Sequence, residues 1–417
     1  MTPAPADAST IARTVAIDDP GPLEELLADH PSLAWLRRGD GMVGLGRYAI
    51  TEVTGPAEAD AWWSSFVAGV RHESEVTGVA GAGPLAFGSF VFDPDHSGGR
   101  SRLVVPRVIV GRRDQRAWLT VLADAGADPA MTVPGRGTPT RAPGVVRVAD
   151  DPRAQARWCD RVAEAVHLIE TDGLEKVVLA RAVTARASEP IDVRHLVGAL
   201  AREYPGCWTF CVDSLVGASP EMLVRRERGL ATSRILAGTI RRTGSEETDL
   251  KLAGALARSS KNLIEHELAV ESVAEALAPL CSGMNVPESP YVLELPNVLH
   301  LATDVTAVAH KKASSLRLAA ALHPSAAVCG TPTAVARATI AELEGLDRDR
   351  YSGPVGWIDS RGDGEWAIAL RCGLVDADDP RRIDLFAGCG IVADSDPGEE
   401  LAETKAKLVP MLDALGA

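Results

Sequence analysis

Two hydrophobic periods share this chain, and together they predict a mixed α/β (α+β) fold. Short runs rich in β-branched and aromatic residues, bounded by Gly, Pro and Asp, recur along its length, while other stretches repeat their apolar residues at helical spacing. With 417 residues, 46% of them hydrophobic and 24% charged, the chain can bury one large core or two ordinary ones.

The first part supplies strand-like pieces, "GMVGLGRYAITEV", "PLAFGSFVFD" and "SRLVVPRVIVG", with one helix expected around Pro56 to Glu73. The stretch Ala123 to Gly144 is rich in Pro, Gly and Ala without periodicity, which marks a surface linker or long loop. Asp151 and Pro152 then open a helix in which Trp158, Val162, Ala165 and Ile169 recur at spacings of four, three and four, ending at Gly173. "LEKVVLARAV" reads as a core strand with Lys176 at its head, "CWTFCV" as another strand, and "EMLVRRERGLATSRIL" as a hairpin turning at Glu227 to Gly229. From Glu246 to Leu280 one long helix is expected, because Leu256, Leu263, Val270 and Leu277 stand a heptad apart. Beyond it come a strand in "LHLATDVTAV", helices from Ser315 to Leu322 and from Thr333 to Leu343, and strands in "GPVGWID", "EWAIALRCGLV" and "IDLFAGCGIV". Asp396, Pro397 and Glu399 form a capping box that starts a last helix reaching Leu415.

A formal net charge of −14 argues against a nucleic-acid or anionic-membrane surface, so any anion site must be locally focused. The N-terminus has no basic segment followed by an apolar one, and no apolar run nears the roughly eighteen residues of a membrane span, so a cytoplasmic protein is expected. Seven scattered cysteines without a C-x-x-C pair fit reduced, packed thiols.

Several residues could carry chemistry. Lys176 at the head of a buried strand must reach water, meet a carboxylate, or lose its proton and act as a base. Glu400, Glu403 and Lys407 share one face of the last helix, where two carboxylates a turn apart either repel across solvent or hold a divalent cation. Glu265 lies opposite the heptad seam, on a face that is either solvent or a cleft. In "EWAIALRCGLV" strand alternation would set Arg371 among Ala367, Ala369 and Gly373, leaving room beside its guanidinium for a ligand carboxylate. Gly388 and Gly390 in "AGCGIV" could bring backbone N–H groups to an anion. His300 and His323 read by default as hydrogen-bonded core histidines. These residues suit an anionic substrate held through a hard metal ion without naming it.

The order of the motifs "EKVVLARAV", "GASPEMLVRRERG", "LAGTIRRTGSEETD", "SSKNLIEHELAVESVAEAL", "LHLATDVTAV", "HPSAAVCGTPTAVA", "DRYSGPVGWID", "GEWAIALRCG" and "FAGCGIVADSDPGEELAETKAKL" resembles the catalytic core of the chorismate-utilising enzymes. The likeness runs from about Asp151 to the C-terminus, with weaker echoes in the first 150 residues, and within the group it resembles the isochorismate synthases of menaquinone and siderophore pathways. The resemblance implies two large antiparallel β-sheets packed together with helices outside. Residues 1–150 would be the mainly β N-terminal part and 151–417 the chorismate-binding core, both in one structural domain with the active site between the sheets. It further implies Lys176 as the base that activates water and Glu221 as the acid that protonates the departing hydroxyl. Mg²⁺ would sit on Glu265, Glu400 and Glu403, with Tyr351 and Arg371 on the enolpyruvyl carboxylate. Gly238, Thr239, Gly388 and Gly390 would cradle oxygens, His300 would line the ring pocket, and Lys407 would offset charge near the metal. Ala327 stands where the salicylate synthases of the group resemble one another in carrying threonine, which favours isomerisation without pyruvate loss. Chorismate is the implied small-molecule partner and a monomer or weak homodimer the implied assembly. The alternatives are a salicylate synthase or another chorismate-utilising enzyme, and a catalytically silent chorismate-binding scaffold.

Overall fold

The computed structural model describes residues 10–27, 32–171, 173–294 and 298–417, apart from the side chains of residues 237, 239, 261, 262 and 265. Its strands form two branches that diverge from Ser101–Arg113, whose N-terminal half pairs with Leu85–Ser89 and whose C-terminal half pairs with Arg116–Asp124. The first branch runs Val70–Ser74, Thr10–Ile17, Arg116–Asp124, Ser101–Arg113, Asp40–Val53, Leu33–Arg37, Trp208–Val212, Leu215–Ser219, Cys372–Val375, Arg382–Ile391 and Lys176–Ala187. The second runs Leu85–Ser89, Pro354–Asp359, Gly364–Ile368, Met222–Glu227, Leu230–Arg241 and Val298–Ala309. Among these pairings only Val70–Ser74 with Thr10–Ile17 is parallel. The two expected antiparallel sheets are therefore present, joined through a shared strand. Strands from residues before and after 150 pair directly, as Leu33–Arg37 does with Trp208–Val212.

Period-two alternation sorts the buried side chains. Trp35, Phe87, Phe210, Trp357 and Trp366 form one core that both branches share. Their sequence neighbours Ala34, Leu36 and Cys211 point the other way, into a second core. Leu33–Arg37, Trp208–Val212 and Leu215–Ser219 lie between the two cores with both faces covered, so they read as nearly continuous apolar runs. Full burial of each large aromatic contributes about 2–3 kcal/mol.

Eight α-helices lie outside the strands among the described residues: α1 Pro56–Ala68, α2 Pro152–Thr171, α3 Val193–Glu203, α4 Glu246–Leu256, α5 Ser260–Leu277, α6 Ser315–Leu322, α7 Thr333–Leu343 and α8 Pro397–Leu415. α3 and α8 close the second core with Leu196, Leu200, Leu408 and Met411. Asp396 caps α8, its Oδ1 accepting from the N–H groups of Gly398 and Glu399. No described helix is long and apolar enough to cross a membrane. All seven cysteines are free thiols, five of them buried.

Three expectations about continuity need correction. The helix expected to reach Glu73 ends at Ala68, and Val70–Ser74 instead lies along Thr10–Ile17 as an edge strand. The helix expected from Glu246 to Leu280 is two, α4 and α5. Ala257 closes the first on the carbonyl of Ala253, and Ser259 opens the second by accepting from Leu263 N–H. Serines favour such boundaries because their hydroxyls compete for backbone groups. The seam still faces inward: Leu256 packs on Leu299 and Leu301, Val270 on Ile235 and Val305, and Leu277 enters the main core.

The third correction bears on function. "EWAIALRCGLV" is not one strand but two, Gly364–Ile368 in the second branch and Cys372–Val375 in the first. Its partner divides in the same way, with Leu215–Ser219 in the first branch and Met222–Glu227 in the second. One long ribbon therefore passes from sheet to sheet. At the crossing Ala218 N–H donates to the carbonyl of Arg371 at 3.2 Å, and Ile368 N–H to that of Glu221 at 3.1 Å. Arg371 turns there in the left-handed region, with φ 49°.

Candidate active site

The crossing puts Glu221 and Arg371 where the two sheets part. Arg371 thus owes its position to the break in its strand rather than to a face of small residues. Lys176 heads the strand paired with Arg382–Ile391, on which Phe386, Gly388 and Gly390 alternate to one side. A Cβ on Gly390 would stand 2.7 Å from Lys176 Cε and 3.5 Å from Nζ, so the lysine stem lies directly over this glycine. A Cβ on Gly388 would meet the Tyr351 hydroxyl at 3.2 Å, and the Tyr351 ring stacks on Phe386 with centroids 5.2 Å apart. The glycines thus make room for two side chains. The sequence reading gave them an anion-binding role and missed Phe386, although alternation puts all three on one face.

Beside this row, α8 presents Lys407, whose Nζ donates to the carbonyl of Gly388 at 2.8 Å and pairs with Glu403 at 2.7 Å. Ser395 donates to Glu400 Oε1 at 2.8 Å. Across from α8, the strands Leu230–Arg241 and Val298–Ala309 are joined with a bulge at Gly238, which has φ 76°, and Thr239 stands in register with His300. The side chains of Thr239 and Glu265 lie outside the described residues. Ala327 is exposed on a loop whose Cys329 carbonyl accepts from Val178 N–H at 2.8 Å, so this loop borders the Lys176 strand.

Electrostatics couples these groups. Glu221 is part-buried at the crossing, and burial raises its pKa from 4.5 to about 7 against the opposing charges of Lys407, Lys176 and Arg371. Burial, reinforced by Arg371 and Lys407, lowers the pKa of His300 from 6.5 to about 4, so at neutral pH its imidazole is uncharged. Burial also lowers that of Arg371 and raises that of Tyr351. The result is a lysine, a carboxyl that keeps its proton near neutrality, a neutral imidazole, and a buried guanidinium close to a tyrosine. Such a set can move a proton on and off an anionic substrate. His323 has the core role expected by default, with Nε2 3.0 Å from the carbonyl of Phe92. The roomiest cavity described, about 640 Å³, lies elsewhere, between α3 and the end of α8, and none of these residues lines it.

Comparison with known proteins identifies the family. Residues 35–416 match the family described as chorismate binding enzyme. The isochorismate synthase MenF of Bacillus subtilis is 32% identical over 409 residues, 90% of this chain and 85% of the relative. The isochorismate synthase EntC of Escherichia coli is 38% identical over 267 residues, 63% of this chain and 68% of the relative. Among solved structures, the menaquinone-specific isochorismate synthase MenF from Escherichia coli superposes with a TM-score of 0.79 at 25% identity, covering 99% of this chain and 95% of that one. The chain belongs to the family of chorismate-binding enzymes.

Proposed function

We infer that this chain is an isochorismate synthase, and that the residues gathered at the sheet crossing are its active site. The observation that carries the reading is a part-buried Glu221 whose pKa is raised to about 7, with Lys176 among the charges that act on it. Isomerisation of chorismate needs a base at one ring carbon and an acid at another. Lys176 would take a proton from water as its oxygen attacks C2. Glu221 would give a proton to the 4-hydroxyl, which leaves as water while the ring double bonds shift. One water enters and one departs, so the reaction is balanced and reversible. Arg371, fixed by its backbone bond to Ala218, and Tyr351, held on Phe386, would take the enolpyruvyl carboxylate. His300, uncharged, would line the ring.

Glu400 and Glu403 stand one turn apart on α8, and with Glu265 on α5 they would hold Mg²⁺. The fit rests on donor chemistry, since carboxylate oxygens are what this hard cation takes. Bound there, Mg²⁺ supplies positive charge for the ring carboxylate of the substrate. Lys407 would keep Glu403 oriented through their 2.7 Å contact. The likeness to a menaquinone-specific enzyme supports placing the product in menaquinone biosynthesis, with siderophore biosynthesis as the other destination.

The experiment is incubation of the pure protein with chorismate and Mg²⁺, followed by chromatography and a coupled pyruvate assay. With Ala327 in place of a hydroxyl-bearing residue, the expected outcome is an equilibrium of chorismate and isochorismate with little pyruvate. Pyruvate released as fast as chorismate disappears would assign the chain to the salicylate-forming branch instead.

A further inference from the structure

A buried ion pair outside the site ties three parts of it together. The strand Lys176–Ala187 pairs on one edge with Gly330–Thr331 at Lys176 and Val177 and with Val146–Ala149 at Thr184 to Ala187, so between Val178 and Val183 that edge has no strand beside it. Buried backbone groups there need partners. Glu344 and Arg348, 1% and 4% exposed, supply them. Glu344 Oε2 accepts from Ala180 N–H at 3.0 Å, and Arg348 Nη2 donates to the carbonyl of Val178 at 2.7 Å. The two side chains meet in a forked contact, Nε to Oε1 at 2.7 Å and Nη2 to Oε2 at 2.6 Å. Arg348 Nη1 also donates to the carbonyl of Val328, next to Ala327, at 3.0 Å, and to the hydroxyl of Ser352, next to Tyr351, at 3.1 Å. Its guanidinium lies 4.2 Å from the centroid of the Phe92 ring.

Resting on the isochorismate synthase reading, we propose that Glu344 and Arg348 act together as a positioning clamp for the reaction. The pair stands in for a missing strand and sets the Lys176 strand, the Ala327 loop and the Tyr351 turn in one register. Neither residue is among the proposed substrate contacts; Arg348 acts through the groups of Val178, Val328 and Ser352 that flank Lys176, Ala327 and Tyr351, and Glu344 acts by holding Arg348 and Ala180 N–H. A hydrophobic pair of similar volume could preserve such a core but could not accept from Ala180 N–H or donate to three acceptors at once. Lysine, with a single ammonium on a flexible stem, cannot reproduce the fork.

The test uses the full chain with Arg348→Lys, Glu344→Gln and the charge-free double variant Glu344→Gln/Arg348→Met, each checked for folding by circular dichroism and melting temperature. Wild-type turnover of chorismate to isochorismate is the control, and its absence would refute the functional reading rather than the clamp. Folded variants are expected to lose about 10–100-fold in kcat with KM within about threefold, as for small misplacement of catalytic groups. The double variant should lose little more than the worse single, because the pair works as a unit. A folded variant with kcat within twofold of wild type, a loss carried in KM alone, or loss of fold in every variant would make the pair scaffold only and overturn the proposal.

Discussion

Glu221 does its proposed work only while protonated, and burial sustains that state up to about pH 7. Replacing it with glutamine, or Lys176 with glutamine, is expected to cost about two orders of magnitude or more in turnover, the usual contribution of a positioned acid or base. Near-normal turnover in either variant would sink the mechanism. The raised pKa also has a stability sign. Between 4.5 and about 7 the folded protein holds a proton that the unfolded chain releases. This contribution is whole below pH 4.5 and is lost as pH rises through about 7, with a ceiling of about 3 kcal/mol. Glu221→Gln should therefore melt above the wild type at pH 8 and close to it at pH 4.5. Gly390→Ala tests the lysine's seat, since its methyl would fall 2.7 Å from Lys176 Cε. Turnover should drop at least about tenfold, since displacing a catalytic group by about 1 Å can cost a hundredfold, with the melting temperature little changed. Full activity would mean that Lys176 does not work from this position. Lys176, Glu221 and Arg371 were legible in the sequence as candidates through their motifs. Their environments were not, because burial depends on partners hundreds of residues away.

On the scale of elements, α8 carries most of the proposed metal site, with Glu400, Glu403 and Lys407 one or two turns apart beyond a well-capped N-terminus. Excess chelator should abolish turnover and Mg²⁺ should restore it. Glu403→Ala should raise the Mg²⁺ concentration needed for half-maximal activity by about tenfold or more, since even loss of an outer-shell partner commonly costs that much. Undiminished turnover in chelator would remove the metal from the mechanism. The sequence placed α6, α7 and α8, the last of them through its capping box. The division of 246–277 into α4 and α5 was not, because the heptad seam continues through the break and a period reports facing rather than continuity.

For the whole molecule, burial of two histidines makes acid the weak direction. His300 and His323 both have pKa values lowered to about 4, so the unfolded chain binds protons that the folded one refuses. Their contribution is present above about 6.5 and is lost as pH falls toward 4. A melting curve followed from pH 7 to pH 4 should show that loss, and His323→Gln should lessen it. An equal fall in the variant would place the acid sensitivity elsewhere. The antiparallel sheets were foreshadowed by the family resemblance, and one hairpin, turning at Glu227 to Gly229, by its turn residues. The passage of one ribbon between sheets was not, because nothing in the apolar pattern of "EWAIALRCGLV" marks where a strand changes neighbours. That passage also fixes a mechanical property. Glu221 and Arg371 stand on opposite strands of one hydrogen-bonded ribbon, so local backbone bonds set their separation, whatever angle the sheets make. Rotation of one sheet against the other would carry Lys176 and α8 toward or away from His300 and α5 while acid and guanidinium stayed put, as points beside an axle do.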